Sequence, residues 1–225
     1  MRTQCPNPAC RLLFEVSAER AGKNGPCPAC GQVITFRSLE ILLRVACERE
    51  RRVKAGMARG GPAAAEGAPA PLGVLLEDLR SLWNVGSIFR TADGAGFQQL
   101  YLCGITGCPP RKEIAKTSLG AEEHVAWSYH AGALEVLPDL KRAGVQIVGL
   151  EKTETSEPLE AALARNAFHA PVCLVVGNEV SGISAETLHV CERVCHLPMR
   201  GVKGSLNVAV AFGIAAYQLA GTVQQ

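Results

Sequence analysis

Leu197–Ala220, LPMRGVKGSLNVAVAFGIAAYQLA, joins a tight polar loop to an apolar helix, and the fold is read outward from it. Pro198, Gly201 and Gly204 make the loop, Ser205 stands where an N-cap belongs, and Val208, Ala209, Ala211, Phe212, Ala215, Ala216 and Leu219 follow a helical period. A loop that ends in a helix N-terminus offers unpaired N–H groups to an anion or a polar ligand. The same pattern also fits an ordinary loop followed by a buried helix.

Upstream, strand-like apolar runs alternate with helical segments, which is the pattern of an α/β parallel sheet. Strands are expected over Gly73–Leu76, Gln99–Cys103, His124–Trp127, Val145–Leu150, Val172–Val176 and Arg193–Leu197. Helices are expected over Val85–Ala95, Lys112–Ser118, Ala131–Ala143, Leu159–Arg165, Ala185–Cys191 and Leu206–Ala220. Nothing in this periodicity calls for a knot.

The N-terminal part differs in character. Cys5-Pro-Asn-Pro-Ala-Cys10 and Cys27-Pro-Ala-Cys30 each form a tight turn that can aim two thiolates at one point. Four thiolates suit a closed, structural Zn²⁺ site with no open position for catalysis. Short strands at Leu12–Val16 and Gln32–Phe36 complete a zinc-ribbon-like module over residues 1–37, although the first cysteine pair is spaced more widely than the usual two residues. Free or redox-active thiols are the alternative. Residues 38–56 follow as a basic segment, helical over Ser38–Lys54 with Cys47 on its core side, and the Ala-, Gly- and Pro-rich stretch 57–71 reads as a flexible linker before the domain at 72–225.

Net charge is +2 over 225 residues, but residues 1–54 carry +5 and the remainder −3. A basic appendage on a near-neutral domain suits contact with a polyanion, and equally a solvated helix face. Of the ten cysteines, those outside the N-terminal cluster fall in apolar runs, a pattern of metal ligands and buried thiols in a reducing compartment. The first residues lack the apolar core of a signal peptide, and no membrane span is expected, so the expected location is cytoplasmic.

Two further stretches stand in order before the loop and helix: Asn84-Val-Gly-Ser-Ile-Phe-Arg90-Thr91, and Leu174-Val-Val-Gly177-Asn178-Glu179-Val-Ser-Gly182. Together the three motifs resemble those of the SpoU (TrmH-like) RNA ribose 2′-O-methyltransferases of the SPOUT superfamily, over roughly Leu72 to the C-terminus. The resemblance implies a parallel-sheet α/β domain with a C-terminal trefoil knot, and a pocket for S-adenosylmethionine (AdoMet) made by loops after Leu150, Gly177 and Leu197. It implies a homodimer and a tRNA or rRNA substrate. Cofactor contacts carried over are Leu150, Gly177, Asn178, Leu197, Met199 and Leu206, and catalytic positions are Arg90, Asn84, Glu179, Ser205 and Asn207.

Each of these residue types has a physical role open to it. Family accounts often make the arginine a general base, but a guanidinium with a pKa above about 12 is a poor base near neutrality. Arg90 better suits holding the target phosphate or ribose and stabilising charge on the attacking oxygen. Asn84 is expected to cap the helix that presents Arg90, Glu179 to orient Arg90, Ser205 to meet a phosphate or the cofactor, and Asn207 to position. A bare backbone at Gly177 would admit a ligand closely. Arg111, Lys112 and Lys116 with Thr117-Ser-Leu-Gly120 form a basic, hydroxyl-rich stretch that could meet an RNA backbone. The five histidines show no metal spacing, and Trp127 and Tyr129 are expected to pack.

Two other readings compete: a non-catalytic RNA-binding or ribosome-associated protein that keeps the fold, and a dinucleotide-binding oxidoreductase. The second lacks the G-x-G-x-x-G turn after an early strand and an acidic residue about 20 positions on.

Overall fold

Gln146–Leu150, Val172–Val176 and Leu72–Glu77 lie side by side at the middle of one sheet because they are apolar on both faces. Every residue of the last two is buried, which is the mark of parallel strands covered on both sides. A computed structural model describes residues 1–5, 10, 12–36, 59–61 and 69–223. The helix expected over Ser38–Lys54, with Cys47, and most of the expected linker lie outside the described residues.

Among the described residues the strands are β1 (Arg2–Gln4), β2 (Leu13–Glu15), β3 (Asn24–Pro26), β4 (Val33–Thr35), β5 (Arg59–Gly60), β6 (Leu72–Glu77), β7 (Gln99–Cys103), β8 (Ala126–His130), β9 (Gln146–Leu150), β10 (Glu157–Pro158), β11 (Val172–Val176) and β12 (Arg193–His196). The helices are α1 (Leu82–Ala95), α2 (Lys112–Ser118), α3 (Ala121–His124), α4 (Leu137–Arg142), α5 (Leu159–Ala164), α6 (Ala185–Val190) and α7 (Val208–Val223). The main sheet runs β10-β12-β9-β11-β6-β7-β8-β5, parallel throughout except for the short antiparallel β5.

Alternation along β6 divides the interior. Leu72, Val74 and Leu76 join a core with α1, α5 and α7, where Phe97 and Phe212 meet edge to face at 5.3 Å. Leu75 faces the other way and packs with Ile147, Cys173, Val175, Leu137 and Ile183. Trp127 and Tyr129 do pack, and the Tyr129 hydroxyl donates to the Gly104 carbonyl at 2.9 Å.

Four local expectations need correction. The strand expected at His124–Trp127 begins later, because Ala121–His124 closes a helical turn and the Val125 amide donates to the Ala121 carbonyl at 2.9 Å. The helix expected over Ala131–Ala143 is broken: Gly132 is extended, Ala133–Glu135 makes a 3₁₀ turn, and α4 starts with Pro138 in its first turn, where a missing N–H costs nothing. Arg59–Gly60, inside the expected linker, pairs with Trp127 and Ser128. The hydroxyls of Thr117 and Ser118 turn inward, onto the carbonyls of Trp83 and Ile114, which leaves Arg111, Lys112 and Lys116 as the exposed polar part of that stretch.

The N-terminal module is two hairpins, β1–β2 and β3–β4, around Cys5, Cys27, Ile34 and Phe36. Phe14 meets Phe36 edge to face at 6.0 Å, and the Arg20 guanidinium lies 4.5 Å from the Phe36 ring centre. So small a core is short of apolar area for its length.

Candidate active site and metal centre

The loops that leave β9, β11 and β12 meet at the carboxyl ends of their strands, where ligands bind in parallel α/β sheets. They enclose a cavity of about 300 Å³, at the small end of the range for a small-molecule site. Leu150, Gly177, Asn178, Leu197, Met199 and Leu206, the six positions implied as cofactor contacts, all line it, together with Glu179, Ser205 and Asn207. Asn84 and Arg90 do not line it.

Gly177 lines the pocket, and its bare backbone is required for a reason beyond the one expected. A Cβ there would lie 2.2 Å from the Gly182 carbonyl carbon and 2.3 Å from the Ile183 nitrogen, so it is the chain's own returning loop that needs the bare backbone. Asn178 shapes that loop, accepting from the amides of Val180 and Ser181 at 2.9 and 3.1 Å while its own amide donates to the Asp78 carbonyl.

Side chains from the three motifs are joined by hydrogen bonds. The Asn207 amide donates to Asn84 Oδ1 at 3.1 Å, and Asn84 Nδ2 donates to Glu179 Oε1 at 3.0 Å. The two caps fall elsewhere than expected. Ser81 caps α1, its Oγ accepting from the Asn84 amide at 3.3 Å, so Asn84 lies inside the helix with its side chain free to bridge the other motifs. Helix α7 begins at Val208, beyond the reach of a cap at Ser205. Asn207 fills that position, with Oδ1 accepting from the amides of Ala209 and Val210 at 2.9 and 3.4 Å.

Glu179 does not orient Arg90. Its carboxylate accepts from the Arg80 and Ser81 amides at 2.9 and 3.1 Å, placing a negative charge at the N-terminus of α1 where the helix dipole favours it. Burial pushes its pKa up, but the hydrogen bonds from Arg80, Asn84 and Ser81 outweigh this and hold it below the ordinary 4.5. A depressed carboxyl pKa stabilises the fold above the unfolded value, and that contribution is lost as pH falls through the folded value. The stability advantage of the wild type over Glu179→Gln, measured by thermal melting, is therefore expected to be constant above pH 4.5 and to shrink below it. An advantage that grows on acidification would contradict the assignment.

Arg90 is exposed on α1, and among the described residues it has no hydrogen bond or ion pair. An unengaged guanidinium is available to a phosphate or ribose oxygen.

Two contributors escaped the sequence reading. Glu151, on the pocket wall, accepts from the Ile183 amide at 3.0 Å and ties the β9 loop to the β11 loop. His196, also on the wall, has its Nδ1 3.0 Å from Ser156 Oγ. The glutamate follows a predicted strand directly, a position that could have flagged it. Nothing local marks the histidine.

In the N-terminal module the sulfurs of Cys5, Cys10, Cys27 and Cys30 all lie within 4.8 Å of one another, and the Cys5–Cys30 and Cys10–Cys27 pairs stand at 3.7 Å. Zn–S bonds of about 2.3 Å in a tetrahedron demand sulfurs roughly 3.8 Å apart, so these residues fit a zinc ion. Hydrogen bonds from the backbone at Cys30, and then Ala29, outweigh burial and bring the Cys27 thiol down to about 7, which favours the thiolate a metal needs.

The SpoU rRNA Methylase family profile matches residues 71–217, which hold the first two motifs and all but the last three residues of the third. The putative TrmH family tRNA/rRNA methyltransferase YacO of Bacillus subtilis (strain 168) is 30% identical over 162 residues, covering 70% of this chain and 61% of its own length. The 23S rRNA (guanosine-2′-O-)-methyltransferase RlmB of Ralstonia nicotianae is 30% identical over 148 residues, 66% of this chain and 57% of its own. Among solved structures, the AdoMet-bound rRNA methyltransferase of Sinorhizobium meliloti superposes with a TM-score of 0.59 at 26% identity, covering 69% of this chain and 56% of that one. The chain thus spans about three fifths of the length of the curated relatives it matches. The three motifs, the parallel sheet that carries them and the profile match agree: the chain belongs to the SpoU rRNA methylase family.

Proposed function

We propose that this protein is an AdoMet-dependent methyltransferase acting on a ribose 2′-hydroxyl of tRNA or rRNA. The observation that carries the reading is the hydrogen-bonded chain Glu179–Asn84–Asn207, which draws three separated motifs to the rim of one pocket of small-molecule size. AdoMet, when bound, supplies an electrophilic methyl group.

The chain's own residues do the rest. Leu150, Leu197 and Leu206 offer apolar walls and backbone groups around a nucleoside, with Asn178 and Met199 beside them, and Ser205 at the mouth suits a phosphate or the cofactor. Arg90 holds a phosphate or ribose oxygen of the RNA and stabilises negative charge as it develops on the attacking 2′-oxygen. The proton leaves to a phosphate oxygen or to water. Asn84 and Asn207 fix the end of α1 relative to the pocket, and so fix where Arg90 stands.

The C-terminal segment is read as a trefoil knot, as the family resemblance implies. Helix α7 leaves Val210, Ile214 and Tyr217 exposed, 51%, 41% and 60%, on one apolar stripe, which supports a homodimer through this face. The four thiolates are read as a structural zinc site, and the ribbon as an aid to holding the RNA. No helix among the described residues is long and apolar enough to cross a membrane, and the proposed place of action is the cytoplasm.

Transfer of a labelled methyl group from AdoMet to RNA tests the reading. AdoMet binding without transfer to any RNA would move it to a non-catalytic RNA-binding protein.

A further inference from the structure

The ribbon does more than sit beside the methyltransferase domain. Strand β4 abuts α6, and Thr35, almost fully buried, is the point of contact. Its hydroxyl accepts from the Ala185 amide at 2.9 Å and donates to Asn24 Oδ1 at 2.8 Å, with Glu186 Oε2 at 3.3 Å as a second acceptor. Its amide donates to Glu186 Oε1 at 3.2 Å.

A few residues earlier in the sequence of the domain, Ser181 presses on Gly22 of the ribbon. A Cβ at Gly22 would lie 2.7 Å from the Ser181 Cβ, and the residue's φ of +74° is one that only glycine takes without strain. The ribbon therefore grips the segment Ser181–Glu186 at both ends. That segment carries the β11 loop into α6, and Asn178, Glu179, Val180 and Gly182 of the same loop line the cofactor pocket. From below, buried Glu77 holds the same segment, accepting from the Ser184 amide and hydroxyl at 2.9 and 2.7 Å.

We propose that the ribbon is a positioning element for the cofactor loop: Thr35 and Glu186 transmit the metal-held fold of residues 1–36 to the loop at Asn178–Gly182, so that zinc and AdoMet each favour binding of the other. The proposal rests on reading the pocket as the AdoMet site and the four thiols as the zinc site. Its physical basis is linkage. A loop held in one shape by a folded ribbon costs less to order when the cofactor binds, and the coupling acts equally in both directions. Val at position 35 would keep the side chain's shape and leave the Ala185 amide and Asn24 Oδ1 without their partner, whereas Ser would retain the hydroxyl.

The test uses the full zinc-loaded chain. AdoMet affinity is measured by calorimetry, and zinc loss by its rate of capture by a chelating dye, with and without AdoMet. In the wild type AdoMet is expected to slow zinc loss. Thr35→Val is expected to weaken AdoMet binding by about fivefold, the low end of typical coupling between sites, and to remove the effect of AdoMet on zinc loss. Thr35→Ser should keep both. Glu186→Ala removes both acceptors of Thr35 on α6, leaves the ribbon's own bonds intact and carries the same expectation as Thr35→Val, so the proposal stays testable if the valine variant does not fold. Wild-type affinity and wild-type zinc protection in Thr35→Val, or in Glu186→Ala should the valine variant not fold, would overturn the proposal and leave the AdoMet reading standing, as would equal weakening by Val and Ser. A wild-type chain that binds no AdoMet would overturn the pocket reading and the coupling with it.

Discussion

Replacing Arg90 with alanine is expected to lower kcat for RNA methylation by about 10²- to 10³-fold while leaving AdoMet affinity within about twofold, the signature of a group that meets charge only as it develops. Arg90 is outside the cavity lining and without a polar partner among the described residues, so its removal disturbs neither the pocket nor the packing of α1. Retention of AdoMet binding is what separates this outcome from misfolding. Lysine should rescue only part of the loss, since it keeps the charge but not the two-pronged grip on a phosphate. A kcat unaffected by alanine would mean that the developing charge is met elsewhere.

Removal of zinc is expected to have an effect of a different kind. Structural zinc in finger peptides is worth roughly 10–16 kcal/mol at neutral pH, more than a four-residue apolar core could replace. Chelation should therefore unfold residues 1–36 outright, seen as collapse of their amide dispersion by NMR, while residues 72–223 keep their native spectrum except at Asn178–Glu186, where the ribbon packs, because their core shares no residue with the ribbon's. Cys10→Ser should behave as the chelated wild type. A ribbon that keeps its native spectrum without metal would refute the zinc assignment. Unfolding residues 1–36, which carry a net charge of +2, should also make RNA binding less sensitive to salt, because fewer phosphates are neutralised.

Much of the fold was legible because the strands of this sheet are apolar on both faces. Gln99–Cys103 and Val172–Val176 have the expected bounds to the residue, and the loops after Leu150, Gly177 and Leu197 do meet at one cavity. What the sequence hides is choice among near-equivalent polar residues. Ser81 and Asn84 can both cap a helix, as can Ser205 and Asn207, and only the entry angle of the chain decides between them. The partners of Glu179 are hidden for another reason. The amides of Arg80 and Ser81 lie 99 and 98 residues away, and backbone donors leave no trace in side-chain chemistry, so an arginine was the natural but wrong partner to expect. Gly177 shows the same limit: the residue type was informative, yet the crowding by Gly182 and Ile183 could not be read from it. The contact of Thr35 with α6 joins residues 150 and 151 positions apart and could not be read from either segment.

The most direct test of the central claim is transfer of tritium from methyl-labelled AdoMet to total RNA from cells lacking this protein, followed by nucleoside analysis by mass spectrometry. The account predicts a ribose-methylated nucleoside that appears with the wild-type chain and is all but lost with Arg90→Ala. A label found on a base, or a chain that binds AdoMet yet labels no RNA, would contradict it.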